Sequence, residues 1–286
     1  KVGVSSGGHE LVSLINKAKS VKSTSGAIIN YSVDLKFDET IGTQKAVLSP
    51  TVPVYSTPVK VPVLNSSNPL TDENGGLNKS VTEKILSLFK INPNTVRRYT
   101  EVGGTVVFVE NNGILKIHPS GLLQYQSTAS NGFNLSSGGS YTESISALAA
   151  FADKLSAACA MEQELYISCP VVSSSENVTF DYRSGGIPIN IDIGTDKNAI
   201  SAEIKNGYMT SYAQYIRNYS QGSETYDAPL YIEALDRAIE NYSKDMNNIE
   251  IRAMYLVYND DNTESQKKAV WKTEVKSIDL SEEETQ

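Results

Sequence analysis

Cysteine, histidine and tryptophan are all scarce in this chain. Its 286 residues hold two Cys, two His and one Trp, too few Cys and His for the usual four-ligand zinc site. No apolar run approaches the roughly 18 residues that cross a bilayer as a helix. Positive charge is also short. Lys and Arg number 25 against 33 Asp and Glu, a net charge of −8, so the basic footprint of a nucleic-acid or anionic-lipid binder is missing. No metal and no other cofactor is expected.

Catalytic signatures are equally thin. Gly7-Gly8, Gly75-Gly76, Gly138-Gly139 and Gly185-Gly186 match neither a phosphate loop nor a dinucleotide fingerprint. A Ser or Cys nucleophile would have only His9, near the N-terminus, and His118, in a turn before Pro119, as bases. The chain is therefore read as a non-enzyme. Paired carboxylates are the one alternative still open, because a glycosidase needs two acids and their sequence spacing is free.

What is present is a folded composition, 40% hydrophobic and 20% charged, long enough for one or two domains. Tyr (16) outnumbers Phe (6), and Ser, Thr and Asn are plentiful. That balance suits a secreted or cell-surface protein. The first residues, Lys1-Val2-Gly3, carry no leader, so extracytoplasmic placement implies that a leader or membrane anchor precedes them. Cys159 and Cys169 lie ten positions apart, at the end of a helical stretch and in an apolar run. They are read either as a disulfide within geometric reach or as two buried thiols.

Periodicity predicts an α+β fold. Residues 1–26 form a flexible terminus with a short helix over 9–20. Ile29, Tyr31, Val33, Leu35 and Phe37 alternate as a strand, and five prolines over 50–69 mark an edge strand or linker. Ser80 is the expected N-cap of a helix through Val81, Ile85 and Leu88. Asn111-Asn112-Gly113 and Asn206-Gly207 both follow strands, and a Tyr lies twelve residues past each Gly, at Tyr125 and Tyr219. Helices over 144–158 and 231–242 come next. This loose repeat predicts two or three lobes, each a helix on a small antiparallel sheet, at 27–110, 111–195 and 196–276, before an acidic tail at 277–286.

Tyr208, Tyr212, Tyr215 and Tyr219 are the candidate interaction surface. They fit a strand after the Asn-Gly turn, or, by their spacing, a helical stripe. Asn259 to Glu264 reads as a hairpin tip, since it lacks the Gly and ligand order of a calcium loop.

Several phrases resemble a known family: Asn112-Gly-Ile-Leu-Lys-Ile-His-Pro-Ser-Gly-Leu-Leu-Gln-Tyr125, Gly186-Ile-Pro-Ile-Asn-Ile191, Asn206-Gly-Tyr-Met-Thr-Ser-Tyr-Ala-Gln-Tyr215, Ala234-Leu-Asp-Arg-Ala238 and Met254-Tyr-Leu-Val-Tyr258. Over residues 100–276 the chain is similar to the extracytoplasmic part of the YycH/YycI family of Gram-positive bacteria. The resemblance implies an anchor helix outside this sequence as the sole tie to the membrane, a place in two-component signalling, and restraint of a sensor histidine kinase by binding. It brings no catalytic residues. The expected function is thus docking on another cell-envelope protein. The alternatives are a glycan- or peptidoglycan-acting hydrolase and a secreted inhibitor-like module.

Overall fold

The computed structural model describes residues 29–31, 38–41, 44–49, 52–55, 58–129, 132–135, 140–168, 177–193, 198–242 and 248–277. The expected helix over 9–20, most of the strand over 27–37, and the acidic tail beyond Ser277 lie outside them. In chain order the elements begin β1 (Ile29–Tyr31), β2 (Asp38–Ile41), β3 (Gln44–Leu48), β4 (Pro53–Tyr55), β5 (Lys60–Ser67) and α1 (Lys79–Leu88). There follow β6 (Arg97–Thr100), β7 (Val106–Glu110), β8 (Gly113–Ile117), β9 (Leu122–Ser127), β10 (Phe133–Asn134) and α2 (Tyr141–Ala158). Next are β11 (Glu164–Ile167), β12 (Asn177–Ser184), β13 (Ile187–Ile191), β14 (Ile200–Lys205), β15 (Tyr208–Tyr215) and β16 (Asn218–Asp227). The last are α3 (Tyr231–Tyr242), β17 (Asn248–Asp260), β18 (Gln266–Lys267) and β19 (Ala269–Ser277). The mixed α+β class is the one expected.

Two compact units divide the chain. Unit one is Lys1–Lys60, Asp227–Tyr255 and Thr273–Gln286; unit two is Val61–Tyr226 and Leu256–Lys272. These units do not coincide with the expected lobes, because strands from all three lobes contribute to unit two. A hairpin, a further strand and a helix recur in order as β7-β8-β9-α2, with the short β10 before the helix, and as β14-β15-β16-α3. The second of these helices, however, belongs to unit one.

In unit one, β1 pairs antiparallel with β4 and β2 with β3. β3 runs parallel to the first half of β17, with Asn248 opposite Lys45 and Ile251 opposite Leu48. α3 places Tyr231, Leu235, Ala238 and Ile239 on one buried face and leaves Glu233, Asp236 and Glu240 exposed. That spacing is what made the helix legible.

Unit two is built on an antiparallel run ordered β12-β14-β15-β9-β8-β7-β6. One face carries Ala202, Tyr212, Tyr125 and Leu115 side by side in register, all buried. α2 packs on this face through Phe151, whose ring meets Tyr212 edge-on at 5.5 Å. Phe89, the C-cap of α1, stacks on Tyr125 at 4.8 Å. Ser140 and Glu143 close a reciprocal cap at the start of α2, which satisfies backbone donors that would otherwise lack partners. α1 is capped by Asn78, which accepts from the Val81 N–H, and not by Ser80. The helix starts two residues earlier than expected, so Ser80 falls inside it.

A second correction concerns the prolines. β5 is the middle strand of the sheet β16-β5-β18, not an edge. Pro62 is tolerated there because β18 pairs only with Leu64 and Asn65, so no bond from the missing N–H is needed on that side. The Pro62 carbonyl accepts the Tyr258 hydroxyl at 2.7 Å.

Candidate functional site

Side chains alternate across a strand, so the face opposite the helices is fixed by the same register. It carries Ser201, Ala213, Gln124 and Lys116 in one cross-strand row, and Glu203, Ser211, Gln126 and Ile114 in the next. The middle of the face has short side chains, Ser201 on β14 and Ser211 and Ala213 on β15. β8 and β9 carry long ones, Lys116, Gln124 and Gln126. A hollow of about 470 Å³ results, lined by Ser201, Ser211, Ala213, Ile114, Lys116, Gln124 and Gln126 and reaching Tyr125 and Tyr212, whose rings pack on the opposite face.

Polar contacts hold the rim in place. His118 Nε2 lies 2.8 Å from Gln124 Oε1, and its Nδ1 lies 3.0 Å from Thr105 Oγ1. An amide oxygen only accepts, so Nε2 donates and Nδ1 accepts the threonine proton. His118 is therefore a bridge between strand and turn, consistent with the turn role read from the sequence. Lys116 pairs with Glu101 at 2.9 Å. At the far end, Glu203 accepts from Lys205 and from Thr210 Oγ1, and those bonds hold its carboxyl below the usual range. The arrangement offers amide and hydroxyl groups over a small-residue trough, which suits an incoming polypeptide surface.

The tyrosine stripe needs correcting as a surface. Tyr208 is partly exposed, whereas Tyr212, Tyr215 and Tyr219 are each 2% exposed. The segment is indeed extended, as β15 and β16, but the pairing with β14 shifts between Glu203 and Ile204. That irregularity changes the phase and turns Tyr212 and Gln214 inward together. Gln214 accepts the Tyr212 hydroxyl at 2.6 Å and donates to Tyr182 at 2.8 Å, and the Tyr182 hydroxyl donates to the Tyr215 carbonyl at 2.8 Å. These tyrosines are polar-tipped core.

Cys159 is buried at the end of α2 with a free thiol. Burial pushes that thiol up to about 12. Cys169 lies outside the described residues. On the helix-covered side, beside the Phe89, Tyr125 and Phe133 rings, a recess of about 360 Å³ opens between Lys90, Glu110, Asn134 and Tyr208, with Lys90 set 5.1 Å over the Phe133 ring.

Sequence reasoning missed Asp260. Read as part of a solvated hairpin tip, it is fully buried. Its Oδ2 accepts from Arg217 Nε at 3.1 Å and from the Tyr219 hydroxyl at 2.7 Å. Its Oδ1 meets Lys267 Nζ at 3.1 Å and the Asn262 N–H at 2.9 Å. Burial alone would raise this carboxyl. The Tyr219 hydrogen bond, the Arg217 charge, the Asn262 N–H and Lys267 outweigh it and hold the group below its ordinary value.

No family model matches the chain, and no curated protein matches it. Solved structures do. An uncharacterised protein from Eubacterium rectale is 14% identical with a TM-score of 0.49, over 87% of this chain and 86% of that one. YycH from Bacillus subtilis is 15% identical with a TM-score of 0.46, over 84% of this chain and 55% of its own. The chain thus spans little more than half of that YycH structure. Neither likeness assigns a function.

Proposed function

We propose that the chain is a regulatory docking protein of the bacterial cell envelope. In this reading it is non-enzymatic, works outside the cytoplasm, and binds the outer part of a sensor histidine kinase. The observation that carries the reading is where the family-like phrases fall. Asn112 to Tyr125 and Asn206 to Tyr215 supply the β8 and β15 residues, and all but Gln126 of the β9 residues, that line the open hollow. The same segments that resemble kinase-restraining proteins thus line an open, half-exposed surface of unit two.

Two adjacent acids of the Asn259–Glu264 hairpin tip are committed to ion pairs. Asp260 and Asp261 both bind Lys267, at 3.1 and 3.2 Å, and the first is buried beneath its partners.

Filling the trough tests the reading. Ala213 faces away from the helices, so Ala213→Arg leaves the core unchanged while occupying the hollow. Titrated calorimetrically against the purified outer domain of the kinase, the variant should bind at least about tenfold more weakly than wild type, with an unchanged melting temperature. Equal affinity for both proteins would contradict it.

A further inference from the structure

β6 ends the strand order of unit two and, among the described residues, has β7 as its one neighbour. Arg97, Arg98, Tyr99 and Thr100 are all exposed, so neither its side chains nor its outer edge is covered. The hairpin that holds it fixes which backbone groups face out. Glu101 N–H donates to the Thr105 carbonyl at 2.8 Å, and Gly104 N–H to the Glu101 carbonyl at 3.1 Å. Bonded pairs alternate along an antiparallel ladder. Tyr99 opposite Val107 and Arg97 opposite Val109 therefore bond inward, while the N–H and C=O groups of Arg98 and Thr100 point outward.

An open edge is a template for another strand, and here charge selects the strand. Arg97 and Arg98 stand on opposite faces, the second with its guanidinium 5.7 Å from the Phe108 ring. Pairing two copies through this edge would bring like charges together. An extended segment with two consecutive acidic residues would instead meet one Arg on each face. An apolar β-branched residue next to them would cover Tyr99, which is 51% exposed.

We infer that β6 is a strand-addition site for an extended acidic segment of a partner protein. The proposal goes beyond the docking reading and rests on different residues, so Ala213→Arg and β6 variants fail or succeed separately. The test is fluorescence anisotropy with a labelled peptide Thr-Val-Glu-Glu-Val-Thr at ~20 mM salt. Wild type should bind, and R97E/R98E should weaken binding by at least about tenfold. Thr100→Pro removes one outward N–H, keeps both arginines and leaves the inward ladder intact. It should weaken binding to a similar degree with an unchanged melting temperature. A peptide with Lys in place of Glu should not bind.

Three results would overturn the inference: no binding at ~1 mM peptide, equal binding by wild type and R97E/R98E, or self-association of the protein that R97E/R98E abolishes. The last would assign the edge to a second copy.

Discussion

Arg217 Nε lies 3.1 Å from Asp260 Oδ2, with 7% of the arginine side chain and none of the aspartate exposed. Lys267, only 4% exposed, completes the pair from β18, and Ser66 on β5 accepts from Arg217 Nη2 at 3.3 Å. One buried carboxylate thereby ties together β5, β17, β18 and the start of β16. Asp260→Asn should destabilise the protein by about 3–5 kcal/mol, because Arg217 would stay buried without its counter-charge and Lys267 would keep only the half-exposed Asp261. Urea denaturation of the two proteins measures the difference.

The same group sets an acid limit. Its folded-state value lies below the ordinary 3.8, so near that pH the unfolded chain binds more protons than the folded one. The stabilisation is complete above the ordinary value and is lost as pH falls through the folded one. Urea midpoints from pH 6 down to ~2 should decline for wild type and decline less steeply for Asp260→Asn.

At the alkaline end the tyrosines dominate. Burial holds the Tyr182, Tyr212 and Tyr219 hydroxyls above their ordinary 10.0. Above that pH the unfolded chain loses phenolic protons that the folded chain keeps, so stability falls as pH rises. Absorbance titration should show these three ionising together with unfolding, after the exposed tyrosines.

Much of this fold was legible because its signals are local. α3 declares itself through Tyr231, Leu235, Ala238 and Ile239, and the Asn206-Gly207 turn announces the β14–β15 hairpin. Asp260 was not legible, since its partners Arg217 and Tyr219 lie 43 and 41 positions away and its neighbours Asp261 and Asn262 look solvated. The tyrosine stripe misled because strand phase changes where the ladder slips, which spacing alone cannot reveal. The open face showed its polarity in Ser201, Glu203, Gln124 and Gln126. The hollow depends on which strands lie side by side, and that is set by long-range pairing.

Gly113 illustrates a tight local fit. A Cβ there would lie 2.5 Å from the Tyr125 ring, which is stacked on Phe89 and cannot swing away. Gly113→Ala should cost about 1–3 kcal/mol, read as a lowered melting temperature.

Cys159 should resist iodoacetamide at pH 8 in the folded protein, because its thiol is buried and raised to about 12. It should alkylate once denatured without reductant. A need for reductant before labelling would instead reveal a bond to Cys169.

Hydroxyl-radical footprinting in the presence of the outer domain of a sensor kinase tests the proposed docking role most directly. Ile114, Lys116 and Gln126 should become protected while Asp153 and Lys154, on the outer side of α2, stay as reactive as in the free protein. Protection confined to α2, with the open sheet face unchanged, would contradict the account.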